Sequence, residues 1–154
     1  MDSERRRALI SRYREGHRAV LDALDGMEEE ELDRASGGEW TPREIAHHLA
    51  DSEMMSAIRL RKIISEDEPI LPAYDEVDFA KALTRDRPIA PSIEAMRWAR
   101  ESNLQIIERL TEEEWGRKAT HPESGAYSVE TWLEIYTAHP HDHAAQIRRS
   151  RGLA

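Results

Sequence analysis

Hydrophobic residues recur every three or four positions in four stretches of the chain, which is the spacing of an α-helix with one buried face. The first stretch covers residues 3–25, and the second covers residues 41–65. The third begins near Ser92, and the fourth begins at Ser128. The pattern therefore predicts an all-α protein built on four main helices.

The second predicted helix has the clearest start. Thr41 can cap the helix, Pro42 suits the first helical position, and Glu44 completes a capping box. Gly26 is a stop signal for the first helix. These local signals agree with the boundaries that the hydrophobic pattern gives.

The connections between the predicted helices differ in length. Residues 67–90 form a long crossover with three prolines, and a short helix is predicted within it near residues 75–83. Residues 118–127 have a turn-like composition, and no stretch of the chain shows a strand pattern. Four helices with one long crossover predict a four-helix bundle in which the second and third helices run parallel.

Length and composition narrow the class of protein. The 154 residues predict one domain over residues 1–154. The formal net charge of −9 argues against a nucleic acid as the main partner, and no apolar run approaches the roughly 20 residues that span a membrane. The chain has no cysteine, which excludes disulfides and thiolate metal sites. With no apolar leader at the N-terminus, we expect a cytoplasmic protein.

Three histidines form the strongest candidate site. His139 and His143 are four residues apart, so they share one face of the fourth predicted helix. His48 lies on the inward stripe of the second predicted helix. Neutral imidazole is a common metal ligand, and three ligands leave positions open for water or substrate. The alternative from spacing alone is a half-buried pair that bonds the backbone or Tyr136.

The other histidines have less distinctive positions. His47 points about 100° away from its neighbour on the same helix, so it is expected at the surface or behind the ligands. His17 lies on the apolar stripe of the first helix and is expected in the core with its hydrogen bonds satisfied. His141 cannot share the face of the terminal pair and is expected to be exposed.

Four segments of the chain resemble the DinB family of four-helix bundle proteins. They are residues 39–53 (EWTPREIAHHLADSE), residues 72–76 (PAYDE), residues 121–125 (HPESG) and the terminal pattern His139-x-x-x-His143-x-x-Gln146-Ile147. The resemblance spans about residues 38–150 and is strongest to a branch of metal-dependent hydrolases and bacillithiol S-transferases. Each motif is modest alone, whereas their order and spacing together are fairly specific.

This resemblance implies an up-down-down-up bundle with a divalent metal ion, often in a homodimer. The family's three ligands fall on His48, His139 and His143, and zinc or nickel is expected. The implied function is a thiol S-transferase or a hydrolase that acts on a small electrophilic substrate, with a low-molecular-weight thiol as a candidate second substrate. The alternatives are a non-catalytic, metal-binding dimeric stress-response protein and a metal-free protein with structural histidines.

Six further residues are candidates for the surroundings of the site. Three are expected to contact substrate: Arg59, Tyr74 and Asp75. Three are expected to support the ligands from behind: Asp51, His121 and Gln146. Arg59 could instead form a surface pair with Glu53 or Glu66. Asp51 could instead be a fourth ligand or a solvated helix charge.

Pro140 departs from the family pattern because it follows the first histidine of the terminal pair. Proline has no N–H to donate and its ring clashes with the carbonyl of the residue four positions earlier. The fourth helix is therefore expected to bend or to carry a bulge beside the site.

Overall fold

The computed structural model describes residues 1–35 and 37–153. Along these residues the elements follow in this order: α1 (Ser3–Leu24), α2 (Glu29–Leu32), α3 (Pro42–Ser65), α4 (Glu76–Leu83), α5 (Ala90–Ile107), α6 (Glu112–Trp115), β1 (Lys118–His121), β2 (Gly125–Ser128) and α7 (Val129–Ser150). The four predicted main helices correspond to α1, α3, α5 and α7, so the predicted all-α bundle is confirmed. None of the described helices has the length and apolarity that crossing a membrane requires.

The helix α1 runs alongside α7 in the same direction. Arg5 at the beginning of α1 bonds Glu134 near the beginning of α7. At the other end, Arg151 just after α7 donates to the carbonyl of Ala23 in α1. Residue numbers therefore rise together along this pair, which makes it parallel.

The remaining pairs complete the up-down-down-up topology. Along α3 and α5, hydrogen bonds join residues whose numbers rise together: His47 to Ser92, and Ser56 to Asn103. Along α3 and α7 the numbers run in opposite directions: Ser56 bonds Trp132, whereas His48 contacts His139. The second and third main helices are therefore parallel, as the long crossover predicted.

Two hydrophobic clusters form the core, and a polar layer separates them along the helices. One cluster is centred on Trp132 and Tyr13, and the other contains Leu49 and Met96. On α3, the fully buried Glu53 lies in sequence between Leu49 of one cluster and Leu60 of the other. The core therefore contains charge.

The β-hairpin contradicts the expectation that no strand is present. Residues 118–121 and 125–128 pair antiparallel, with His121 opposite Gly125 at the turn. Thr120 also exchanges backbone hydrogen bonds with the crossover, donating to Pro69 and accepting from Leu71 at 2.9 Å each. Strands of four residues are too short to show a reliable alternating pattern, and so composition alone suggested a turn.

The crossover contains the predicted short helix, α4. Asp75 caps this helix, because its carboxylate accepts hydrogen bonds from the backbone N–H groups of Val77 and Asp78. The crossover is thus anchored to the hairpin at one end and carries α4, which packs against α3, at the other. Both features bring loop residues close to the histidines of α3 and α7.

Of the bend or bulge expected at Pro140, the bulge is absent, because α7 is α-helical through this residue from Val129 to Ser150. The carbonyl of Tyr136, which the proline leaves without its helical donor, accepts a hydrogen bond from Arg100 of α5 instead. A neighbouring helix thus supplies the donor that the proline removes.

Candidate metal centre

Three histidine rings converge between α3 and α7. The Nε2 atom of His139 lies 3.0 Å from Nε2 of His48 and 3.1 Å from Nε2 of His143. One ligand atom from each of the three rings lies within 4.8 Å of the others. The inward stripe of α3 supplies one ring, and two successive turns of α7 supply the others.

Burial keeps these rings neutral at physiological pH. Loss of hydration, helped by the neighbouring His143, lowers the pKa of His48 to about 3. Loss of hydration, helped by the two neighbouring rings, lowers the pKa of His139 to about 2. Burial also lowers the pKa of His143, although its bond to Gln146 and the nearby carboxylates oppose this change.

Hydrogen bonding alone cannot account for both close contacts of the Nε2 atom of His139. A neutral imidazole nitrogen carries either one proton or one in-plane lone pair, so it forms one linear hydrogen bond. His139 has two nitrogen neighbours at hydrogen-bond distance, and in either tautomer one of these contacts stays unpaired. A cation between the rings would accept all three lone pairs together.

The spacing of the nitrogen atoms fits such a cation. Zinc–imidazole distances are about 2.0–2.1 Å, so nitrogens bound at angles of about 90–110° lie about 2.9–3.4 Å apart. The two separations from His139, 3.0 and 3.1 Å, fall in this interval. The donor set therefore suits a divalent ion that accepts nitrogen ligands.

Neighbouring side chains orient the rings. The Nδ1 atom of His143 lies 2.9 Å from Oε1 of Gln146, so this amide can hold the ring with its Nε2 lone pair facing inward. On the other side, Trp40 packs edge-to-face on His48, with ring centroids 4.8 Å apart. Gln146 was among the residues expected to support the ligands, whereas Trp40 was not among the candidates.

Glu76 is a further neighbour, to which the sequence alone assigned no role although it belongs to the segment 72–76. Its Oε2 atom lies 3.9 Å from Nε2 of His48, and its side chain is 59% exposed. Glu76 stands in the first turn of α4, directly after the capping residue, so its position depends on the fold of the crossover. Only the chain path over the site could have revealed it.

Two cavities flank the histidines. The larger, of about 440 Å³, is lined by Ser52, Arg59, Tyr74, Asp75, Glu76, His121, Glu123, Ile135, Tyr136 and His139. The smaller, of about 310 Å³, is lined by Gly38, Glu39, Trp40, His48, Glu76, His143 and Gln146. Glu76 lines both, so it lies between the two approaches to the rings.

The three predicted substrate contacts all line the larger cavity, but two of them have structural partners. Arg59 donates to the carbonyl of Pro72 and to the hydroxyl of Tyr136. Arg59 therefore braces the crossover, and within residues 1–35 and 37–153 it forms no ion pair with Glu53 or Glu66. Asp75 caps α4. Burial raises the pKa of Tyr74 to about 12, so the phenol of Tyr74 stays protonated.

His121 and Asp51 differ from Gln146 in what their side chains contact. The Nδ1 atom of His121 accepts hydrogen bonds from Glu123 and Ser124, which shapes the hairpin turn, while the ring lines the larger cavity. Within the described residues, Asp51 forms no hydrogen bond with the three histidines. Burial raises the pKa of its carboxyl, and Arg87 opposes that change.

The remaining histidines correct three expectations. His47 is buried rather than at the surface, with Nδ1 2.7 Å from Ser92, away from the three rings. His141 is half-buried and contacts the carbonyl of Arg12. The Nε2 atom of His17 is buried and has no hydrogen-bond partner among residues 1–35 and 37–153, so this side chain is not fully satisfied.

Sequence reasoning missed the buried polar layer beside the site. Arg100 and Glu53 form an ion pair with side chains 3% and 0% exposed. Tyr13 and Asn103 complete the layer, with hydrogen bonds among their side chains and those of neighbouring residues. The two charges are 47 positions apart on different helices, so no local pattern could have paired them.

The sequence pattern of one protein family, described as the DinB superfamily, matches residues 12–147. The chain belongs to the DinB superfamily. A curated relative from Oceanobacillus iheyensis, named "Putative metal-dependent hydrolase OB0782", is 33% identical over 132 residues, or 84% of this chain and 76% of that protein. YfiT of Bacillus subtilis, named in the same way, is 30% identical over 130 residues, or 81% of this chain and 72% of that protein.

Solved structures confirm this fold for the DinB protein. One is described as YfiT from Bacillus subtilis, "a probable metal-dependent hydrolase with an unusual four-helix bundle topology". It matches with a TM-score of 0.91 and 26% identity, covering 100% of this chain and 91% of YfiT. A mycothiol-dependent maleylpyruvate isomerase shares the fold alone, with a TM-score of 0.68 and 13% identity over 92% of this chain and 60% of the isomerase.

Proposed function

We propose that this DinB protein is a metal-dependent enzyme that activates water or a thiol for attack on a small electrophilic substrate. Its metal ligands in this proposal are His48, His139 and His143. The observation that carries it is the convergence of three neutral nitrogens, one of which has two neighbours that hydrogen bonds cannot satisfy together. The names of the curated relatives support metal-dependent hydrolysis, and the family resemblance supports thiol transfer.

A divalent ion at this position would supply Lewis acidity, lowering the pKa of a water or thiol bound to it and polarising a substrate. The protein supplies orientation. Gln146 holds the His143 ring, and Trp40 covers one side of His48. The hydroxyl of Ser52 lies 3.5 Å from Nδ1 of His139, behind the ring.

The cavity of about 440 Å³ is the proposed substrate site. Its size suits a small molecule, and His139 forms part of its wall, so a bound substrate would lie beside the proposed metal. Arg59 holds the crossover over this cavity through Pro72, while the protonated phenol of Tyr74 can donate to a substrate oxygen. A cavity next to the ligands favours an enzyme over a purely structural metal site.

Metal content tests the proposal. Elemental mass spectrometry of the untagged protein should find about one zinc or nickel ion per chain, lost in the His48→Ala/His143→Ala double variant. His141→Ala is the matched control, because it removes an imidazole from the same helix outside the three-ring cluster and should keep the metal. A wild-type chain that stays metal-free after reconstitution with several divalent ions would refute the proposal.

Activity separates the catalytic proposal from a non-catalytic metal protein. The zinc- and nickel-loaded proteins are assayed for conjugation of cysteine to an aryl halide and for hydrolysis of an activated ester. We expect turnover of at least one substrate type, lost in the double variant and kept in His141→Ala. Stoichiometric metal without turnover in either assay would favour the metal-binding alternative.

The homodimer and the cytoplasmic location expected from the sequence stay predictions.

A further inference from the structure

Arg100 of α5 connects all four main helices at the level of the histidines. Its guanidinium forms the buried ion pair with Glu53 of α3. It also donates to the backbone carbonyls of Tyr13 in α1 and of Tyr136 in α7, the latter at 3.1 Å. The guanidinium carbon lies 3.7 Å from the centroid of the Tyr13 ring. A side chain with this many fixed partners has one well-defined position.

The carbonyl of Tyr136 needs a donor from outside its own helix. In an α-helix it would accept from the N–H of the residue four positions later, which here is Pro140. An unpaired carbonyl in a buried position is destabilising, because it has lost its hydrogen bonds to water without gaining a partner. Arg100 supplies the donor in the turn that carries His139, which precedes the proline directly.

Gly16 of α1 makes room for this contact. A Cβ atom at Gly16 would lie 2.6 Å from Cγ of Pro140 and 2.7 Å from Nη2 of Arg100, well inside contact distance. The helix α1 therefore packs directly over the place where the proline ring meets the guanidinium. Three separate features, a glycine, a proline and a buried arginine, converge on the turn that carries His139.

We propose that Arg100, fixed by Glu53, is a positioning residue for the metal centre. It replaces the hydrogen bond that Pro140 removes and thereby sets the position of His139, whose Nε2 lies between the other two candidate ligands. This inference rests on the proposed metal site. It goes further by making the geometry of the site depend on a side chain whose hydrogen bonds, among the described residues, go to Glu53 and to the carbonyls of Tyr13 and Tyr136 rather than to the three rings.

A purely structural ion pair is the competing explanation, and Pro140→Ala distinguishes the two. Alanine restores the N–H that the Tyr136 carbonyl lacks, so the backbone can bond itself and the donor from Arg100 becomes dispensable there. Arg100→Lys keeps a cation beside Glu53 but lacks the rigid fork that reaches several acceptors. The positioning role therefore predicts that the effect of Arg100→Lys depends on the residue at position 140.

The experiment measures Zn²⁺ dissociation constants of the folded, metal-free proteins by competition with a chromophoric chelator. Arg100→Lys should weaken binding about 10–100-fold, the range found when groups that orient metal ligands are lost. In the Pro140→Ala background the same substitution should weaken binding by less than about 3-fold. If Arg100→Lys does not fold, Glu53→Gln/Arg100→Gln removes both buried charges and takes its place in the comparison.

Arg43→Lys is the matched control. Arg43 is 2% exposed, bonds the carboxylates of Asp33 and Glu29, and donates to the carbonyl of Arg87, all away from the three histidines. It should lower stability and leave the zinc dissociation constant within about 2-fold of wild type. Unchanged zinc affinity in Arg100→Lys, or the same loss in both backgrounds at position 140, overturns the positioning role while leaving the proposed metal site intact.

Hydrogen–deuterium exchange decides the inference even if the wild type binds no zinc, an outcome that would refute the proposed function separately. In the metal-free proteins, Arg100→Lys should speed exchange of residues 137–146 more than that of residues 50–60. In the Pro140→Ala background, Arg100→Lys should no longer produce this difference between the two segments. Equal acceleration of both segments, or none, would show that Arg100 only stabilises the fold.

Discussion

Replacing Gly16 by alanine separates helix propensity from packing, because the two effects change the free energy of unfolding in opposite directions. Gly16 lies in the interior of α1, where alanine is favoured over glycine by about 1 kcal/mol. The structure places the new methyl group 2.6 Å from the ring of Pro140 and 2.7 Å from the guanidinium of Arg100. The proline ring is part of α7 and cannot rotate away, so the helices must separate there, and the guanidinium of Arg100 must also move away from the new methyl group.

The expected size follows from these two costs. Overpacking a close helix contact costs about 1–3 kcal/mol. Displacing one charged hydrogen bond of Arg100 costs about 1.5–3 kcal/mol more. After subtracting the propensity gain of about 1 kcal/mol, the free energy of unfolding should fall by about 1.5–5 kcal/mol. Packing therefore outweighs propensity at Gly16.

Urea denaturation followed by circular dichroism measures this change, with the metal-free protein as the reference. The exposed neighbouring position, Glu15, calibrates the propensity term, because Glu15→Ala should exceed Glu15→Gly by about 1 kcal/mol in the free energy of unfolding. A Gly16→Ala protein as stable as wild type, or more stable, would refute the close packing of α1 on Pro140. It would also remove one support of the positioning role of Arg100.

Two further predictions concern the histidines. The pKa values of His48 and His139 lie near 3 and 2 in the metal-free fold but near 6.5 in the unfolded chain. The unfolded chain therefore binds more protons below about pH 6.5, and stability should fall as the pH is lowered from 7 to 5, by up to about 1.4 kcal/mol per pH unit for each ring. Urea denaturation in the presence of a chelator checks this, and an equal fall in His48→Ala/His139→Ala would contradict it. Gln146→Leu should weaken zinc binding about 10–100-fold in the chelator competition, because the His143 ring loses its partner; unchanged affinity would show that the amide is not needed.

The main helices and the three histidines were predictable because their signals are local. A capping box at Thr41 and a four-residue spacing between His139 and His143 can be read from a short window of sequence. The parallel arrangement of α3 and α5 also follows from one local quantity, the length of the connection between them. Convergence of His48 on the terminal pair required the family resemblance in addition.

The residues that could not be predicted owe their roles to contacts distant in sequence. From the sequence alone, Glu53 is one glutamate among many on a helix, and only the fold shows its ion pair with Arg100. From the sequence alone, Arg59 is a candidate to bind substrate, and only the fold shows that it donates to the carbonyl of Pro72. Glu76 approaches His48 only because the crossover folds back over α3. Charge and residue type are visible in a sequence, whereas the partner that decides their role is not.

The same distinction explains how a proline can stand between two candidate ligands of one helix. If the position of His139 depended on α7 alone, Pro140 would disturb it by removing a hydrogen bond within the turn that carries His139. The replacement donor comes from α5 and is itself fixed by α3, so the turn is held by the assembled bundle. The proposed site therefore forms only when all four helices have packed. A metal ion that binds this site but not the unfolded chain must then stabilise the whole bundle, by about 2.7 kcal/mol at a free concentration 100 times its dissociation constant.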